Sequence, residues 1–386
     1  MKNKIRIIVT LLIAVVLTSQ TACNKAGSLS GNANPNSTTS TTANSTKNII
    51  VEPYADIRDL QNLTDQKSSF EEGEYNPEDM ITFTFNEGTV LKGNETLKDE
   101  IMNNGKNPGL GIQKLHQEGI TGKGINVAII DQNLLLHHPE FDGKITKYYD
   151  TGCKSEENTG SMHAPAVASI LVGNTIGVAP GAKVYFAAAP SWEGDSEFYA
   201  KGLDWIIEEN KKVPEGEKIR VVSVSASPSG EGSPFTKNQE MWDEAVLAAQ
   251  KEGILILDCR SNEKTGMITA AFYDPENPDD ISMCTGGFPT SPYKIPASQI
   301  GVPTSYRTVA EEYWEGSPSY QYTGQGGLSW GIPYAAGVLA LGWQINPALD
   351  MDQIIQVLFD TCSTANDGSN IINPTAFIAA VKETLR

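Results

Sequence analysis

From residue 109 onward, apolar and polar positions fall in blocks whose period switches between that of a strand and that of a helix. Residues 125–130 (INVAII) are a continuous apolar run ending at Asp131, as a parallel strand covered on both faces would be. Residues 162–171 have helical spacing, 183–189 form a short apolar strand, and 198–210 are amphipathic and helical. A strand at 219–224 (IRVVSV), a helix at 239–252 and a strand at 254–257 follow. Residues 330–345 (WGIPYAAGVLALGWQI) are apolar on nearly every side. That stretch is too short, and too broken by Gly and Pro, to span a membrane, so it predicts a buried helix. Helices at 352–361 and 374–385 close the chain. The alternation predicts an α/β fold, a mostly parallel sheet with helices on both faces. Sites in such folds gather at the carboxyl ends of the strands.

The chain before residue 109 reads differently. Residues 1–22 carry Lys2, Lys4 and Arg6, then an apolar stretch at 7–17, then small polar residues, the layout of an export signal. Thr21-Ala22-Cys23 resembles a bacterial lipobox, in which the signal is cut before a cysteine that is then lipidated; Gln20 stands where Leu is usual. Cys23 is therefore the expected lipidation site, with ordinary secretion as the alternative. Residues 23–48 are rich in Ser, Thr and Asn with almost nothing apolar. They cannot bury enough surface to fold and are expected to be a flexible tether. Residues 49–107 are acidic and moderately apolar, with 80–85 (MITFTF) expected as a strand. They are either a short pro-segment or an extension packed on the domain at 108–386. The formal charge of −18 disfavours nucleic acid and anionic lipid as partners, so the membrane is expected to be met only through the anchor. Cys153, Cys259, Cys284 and Cys362 remain as thiols or as one of three disulfide pairings, and their spacings match no zinc site.

Four side chains stand at the ends of these elements. Asp131 closes the first core strand. His163 opens a helical segment beside small residues. Asn262 follows the apolar strand at 254–257. Pro333 is expected in the first turn of the buried helix, where a missing N–H costs little. That puts Ser329 at the helix mouth, beside unpaired N–H groups and the positive end of the dipole. Singly, each is an ordinary turn or cap residue. Together they are an acid, a base, an amide donor and a nucleophile, the set that acyl transfer needs. The order Asp, His, Ser along the chain is that of the subtilisins.

From about Gly109 to the C-terminus the chain resembles a subtilisin-like (subtilase) serine peptidase. The resemblance is carried by 122–131 (GKGINVAIID) with 138–141 (HPEF), by 163–168 (HAPAVA) with 177–182 (GVAPGA), by 222–227 (VSVSAS), by 261–263 (SNE) and by 327–333 (GLSWGIP). It implies a three-layer subtilisin-like fold and an exported endopeptidase acting on peptide or protein substrates. Asp131, His163 and Ser329 would form the triad, with Asn262 as oxyanion donor. Ser225, Ala226, Ser227, Arg260 and Ser261 would line the substrate pocket. Arg260 would favour an acidic substrate residue if it points inward, or would simply pair with a carboxylate if it points away. No cofactor is expected beyond a structural calcium, for which the acidic turn at 274–280 is the candidate; no metal ligand is assigned. The flanks depart from the family pattern at Gln132-Asn133, Ala164-Pro165, Ser261, Leu328 and Trp330. The competing expectation is therefore an inactive surface protein that binds peptides on the same scaffold.

Overall fold

The apolar run ending at Asp131 is the middle strand of a five-stranded parallel sheet. In chain order the strands that matter below are β1 (Thr84–Asn86), β2 (Asn126–Asp131), β3 (Ile145–Asp150), β4 (Lys183–Ala188), β5 (Ile219–Val224), β6 (Leu255–Asp258), β7 (Ile268–Phe272), β8 (Thr285–Phe288), β9 (Ile300–Pro303), β10 (Arg307–Glu312) and β11 (Pro318–Thr323). The helices are α1 (Glu95–Asn104), α2 (Ile112–Gln117), α3 (Ala164–Val172), α4 (Glu197–Lys212), α5 (Gln239–Lys251), α6 (Leu328–Ile345), α7 (Met351–Asp360) and α8 (Pro374–Glu383). The computed structural model describes residues 51–60, 68–154, 160–260, 267–313 and 316–386. Ile50–Arg386 forms one unit. The expected signal, the tether and Cys23 lie outside the described residues, as do Ser261 and Asn262.

The main sheet runs β3-β4-β2-β5-β6, parallel at every pairing. Alternation along β2 explains the two helical layers. Val127 and Ile129 point into one core with residues of α3 and α6 such as Leu171 and Leu339. Ala128 and Ile130 point into the other, with Leu203 and Ile206 of α4 and Val246 of α5. A period of two on a sheet buried on both faces requires this division. The expected three-layer α/β architecture is the one observed.

Some elements differ from the expectations. Residues 80–85 were expected as a strand, but Pro77–Thr82 is a 3-10 turn and only Thr84–Asn86 pairs. Asn76 caps that turn through Glu78 N–H, with Pro77 next in line; this start chemistry outweighs the alternation. The short helices α1 and α2, the edge strand β3, the second sheet built on β8-β7-β9 and the hairpin β10-β11 were not anticipated. Their sequences are short or mixed in polarity, so no clean period marks them. The extension is part of the same unit: β1 pairs antiparallel with β11, and Met80, Phe83 and Phe85 are fully buried. Among the described residues, no disulfide joins Cys153, Cys259, Cys284 or Cys362.

Helices α3 and α6 cross where Gly337 meets the segment after α3. A Cβ at Gly337 would lie 2.7 Å from Val178 Cβ. Gly337→Ala in a helix interior ordinarily gains about 1 kcal/mol, yet here overpacking of about 1–3 kcal/mol opposes it. The variant is expected to be less stable than the parent in urea unfolding; a more stable variant would show that this crossing is not tight.

Candidate active site

Asp131 ends β2 with 2% of its surface exposed. One carboxylate oxygen accepts the Gln132 backbone N–H at 2.8 Å. His163 Nδ1 lies 2.8 Å and 3.1 Å from the two carboxylate oxygens. A carboxylate only accepts, so Nδ1 carries the proton and Nε2 has the free lone pair. The backbone of His163 is fixed by Ser161, whose hydroxyl accepts the N–H groups of His163 (3.2 Å) and Ala164 (3.0 Å). Ser161 N–H in turn donates to Asn133 O. Glu312, at the end of β10, holds the same loop by accepting Gly160 N–H at 2.5 Å and Gly316 N–H at 2.7 Å.

Burial works against a charged His163, but the negative charge of Asp131 and the hydrogen bond to it outweigh burial. The imidazole is displaced upward from its ordinary value of 6.5. The direction fits a base whose protonated form is stabilised by a buried carboxylate.

Ser329 sits in the first turn of α6, after an extended Gly327 at φ −172°. Pro333 is the feature that sequence reasoning misplaced. The helix begins at Leu328, so Pro333 falls in its second turn rather than its first. It cannot donate to the carbonyl four residues back, which is that of Ser329. Ser225, just past β5, fills the vacancy: its hydroxyl donates to Ser329 O at 2.8 Å. The Ser329 hydroxyl donates to Ser225 O at 3.3 Å, and among the described residues it makes no hydrogen bond to His163. Trp330, the next residue of α6, meets the imidazole edge to face at 5.7 Å between ring centres, which brings the start of α6 up to His163. The indole N–H of Trp330 is buried and has no hydrogen-bond partner among the described residues.

The other expected pocket residues divide. Ser225, Ala226 and Ser227 follow β5 directly beside Ser329. Ala226 O accepts Cys259 N–H at 2.9 Å, and Ser227 O accepts the Ser233 hydroxyl at 2.6 Å. Arg260 takes the second of its two expected directions and pairs with carboxylates. Its Nε lies 2.6 Å from Asp258, whose carboxylate is fully buried and needs a counter-charge, and its guanidinium also reaches Asp243 at 2.7 Å. The turn at 274–280 spends its carboxylates locally. Asp274 accepts Glu276 N–H and the Asn277 amide, Asp279 accepts Gly111 N–H, and Asp280 accepts Ser282. That donor set does not fit calcium, which takes 6–8 oxygens. Among the described residues no group of three His, Cys, Asp or Glu is placed to hold a metal, and no helix is long and apolar enough to cross a membrane.

Sequence reasoning missed Ser161, Glu312 and the Ser225 bond to Ser329. Ser161, two residues before His163, carries a readable cap signal. Glu312 is far away in the chain and carries none.

A buried Asp–His pair beside a serine at the mouth of a buried helix is the arrangement of a serine hydrolase. Residues 122–374 match the family described as Subtilase family, Peptidase_S8, and the chain belongs to that family, one of serine peptidases. It is 25% identical over 272 residues to Subtilisin Savinase of Lederbergia lenta, covering 68% of this chain and 93% of that one. The same identity over 272 residues relates it to M-protease of Shouchella clausii, where it spans 66% of the relative's length. Among solved structures, the subtilase cytotoxin SubAB matches with a TM-score of 0.55 at 14% identity, over 72% of this chain and 96% of that one. Fervidolysin from Fervidobacterium pennivorans matches at 0.50 and 17% identity, over 70% and 44%. These likenesses are of fold.

The raised imidazole has a consequence for pH. A histidine displaced upward adds stability that is complete below its unfolded value and disappears as pH climbs past its folded value. In an NMR titration His163 is expected to have its midpoint above 6.5. Asp131→Asn leaves only burial acting, so that midpoint should fall below the parent's. A parent midpoint at or under the ordinary value would overturn the assignment of Asp131 as its partner.

Proposed function

We propose that the chain is an exported serine endopeptidase. The Ser329 hydroxyl turns about its Cα–Cβ bond from Ser225 O toward His163 Nε2 and gives up its proton there as Oγ bonds to the peptide carbonyl carbon. Asp131 holds the imidazole in the tautomer that can accept, and stabilises the imidazolium. The oxyanion is held by the Ser329 backbone N–H, unpaired in the first turn of α6, and by the Asn262 amide. His163 returns the proton to the leaving amine as the C–N bond breaks, takes one from the water that attacks the acyl carbon, and gives it to Ser329 Oγ as the acyl C–O bond breaks. Ser225, Ala226 and Ser227, with Ser261, border the substrate backbone. The observation that carries this reading is the 2.8 Å Asp131–His163 contact beside Ser329. Family membership over residues 122–374 supports it.

The Ser329 hydroxyl's present bond to Ser225 O favours one second reading, a peptide-binding surface protein without turnover. A fluorophosphonate separates the two: the enzyme is labelled at Ser329 and the binder is not. Ser329→Ala is expected to lower peptide cleavage by roughly 10⁶-fold while leaving the unfolding midpoint within error of the parent's. Undiminished cleavage by the pure variant would remove Ser329 from the mechanism.

We also propose that Cys23 is lipidated and that residues 24–48 tether the enzyme to the outer face of a bacterial membrane. Mass spectrometry from the native host is expected to find the mature chain starting at Cys23 with a lipid adduct. A mature chain starting beyond Cys23 refutes the anchor.

A further inference from the structure

The residues leading to Ser329, 322–326, carry an unusual load of close contacts, and those at 322–324 come from the extension. Gly324 N–H donates to Phe83 O at 3.1 Å, and a Cβ at Gly324 would lie 2.1 Å from Thr82 O. Thr84 pairs with Thr323 in the β1–β11 ladder, and their hydroxyls are 3.3 Å apart. The Tyr322 hydroxyl donates to Ile81 O at 2.8 Å. From the opposite side, Gly326, at φ +65°, lies so close to the 304–306 turn that a Cβ would be 1.8 Å from Thr304 O. The Ser305 hydroxyl holds Gln325 O at 2.6 Å. Residues 322–326 thus thread between two walls, and one wall is the chain from Ile81 to Thr84. The extension is not lightly attached elsewhere: Thr308 N–H donates to Gly105 O at 2.8 Å, and the Thr308 hydroxyl to Met102 O at 2.6 Å.

We infer that residues 77–107 stay in the active protein, and that β1 with the turn before it positions the nucleophile loop. Removing the segment would expose Met80, Phe83 and Phe85, all fully buried, and would strip the edge of β11 of its partner. It would also leave Gly324 N–H without its acceptor, four peptide bonds from the nucleophile's first turn. The residues of this wall touch no substrate. They act through the backbone of residues 324–327, where a displacement of about 1 Å at the reacting group costs on the order of 10²-fold in rate.

The positioning half of this inference rests on the peptidase reading, and the residence half does not. The full chain is labelled with a fluorophosphonate and the labelled species is mapped by mass spectrometry. The label is expected on a chain that still carries residues 77–107. An engineered protease site after Asn107 is then cut, and the nicked protein is passed through a gel-filtration column. The two pieces are expected to elute together, with the Gly324 amide protected from hydrogen exchange. The double variant Thr84→Val, Tyr322→Phe keeps the apolar contacts. It is expected to lose roughly 10- to 100-fold in kcat, with KM unchanged; restoring Tyr322 should recover part of that loss. A labelled species that begins after residue 107, or a fragment that elutes apart from a folded remainder, overturns residence. Unchanged kcat in the double variant overturns positioning. If no form takes the label, it is the peptidase reading that fails, and co-elution with hydrogen exchange still decides residence.

Discussion

A helix buried on nearly all sides has few ways to adjust, and α6 is held at both ends. At its start, Pro333 denies the Ser329 carbonyl its helical partner, and Ser225 supplies another from the end of β5. At its far end, Gln344 Oε1 accepts three successive backbone N–H groups, those of Thr121, Gly122 and Lys123, at 2.8, 2.6 and 3.2 Å. Those residues lead into β2, the strand that ends at Asp131. One rigid rod therefore links the serine to the strand that delivers the carboxylate, while α3, packed across it at Gly337, delivers the histidine. Elements from distant parts of the sequence are thus brought together by backbone held in place and by the hydrogen bond between Asp131 and His163.

The hairpin β10–β11 adds a second brace. Its outer edge is closed by β1 of the extension. Glu312 on its inner strand holds Gly160, and so the loop that leads to His163. The end of β11 runs directly into the glycine-rich approach to Ser329. A hairpin outside the main sheet thus borders both the loop before His163 and the approach to Ser329. It does so through hydrogen bonds to backbone N–H groups, which leave the reacting side chains free to move.

Four of the five strands of the main sheet were legible in the sequence because they are buried on both faces; the half-exposed edge strand β3 was not. The strand at 219–224 and the helix beginning at 239 fall where their apolar periods put them. Asp131, His163 and Ser329 were legible as element ends before any fold was known. Three other features escaped. The capped turn at Pro77–Thr82 hid behind an alternating MITFTF. The hairpin and second sheet mix polar and apolar residues too finely to show a period. The position of Pro333 turned on where α6 begins, and a glycine-rich approach leaves that start unmarked. Arg260 shows the limit of motif position alone: the neighbour that decides its direction, Asp258, looks like an ordinary strand end until its complete burial is known.

Burial of three cysteines bears on when this chain can enter disulfide exchange. Burial pushes the thiols of Cys153, Cys284 and Cys362 up to about 12, so in the folded protein almost none of each is thiolate, the form that attacks disulfides. In the folded protein these three thiols are therefore slow to enter disulfide exchange. The unfolded chain loses that protection, and its thiols revert to an ordinary acidity near 8.5. For these three, exchange is thus favoured mainly in the interval before the core closes around them.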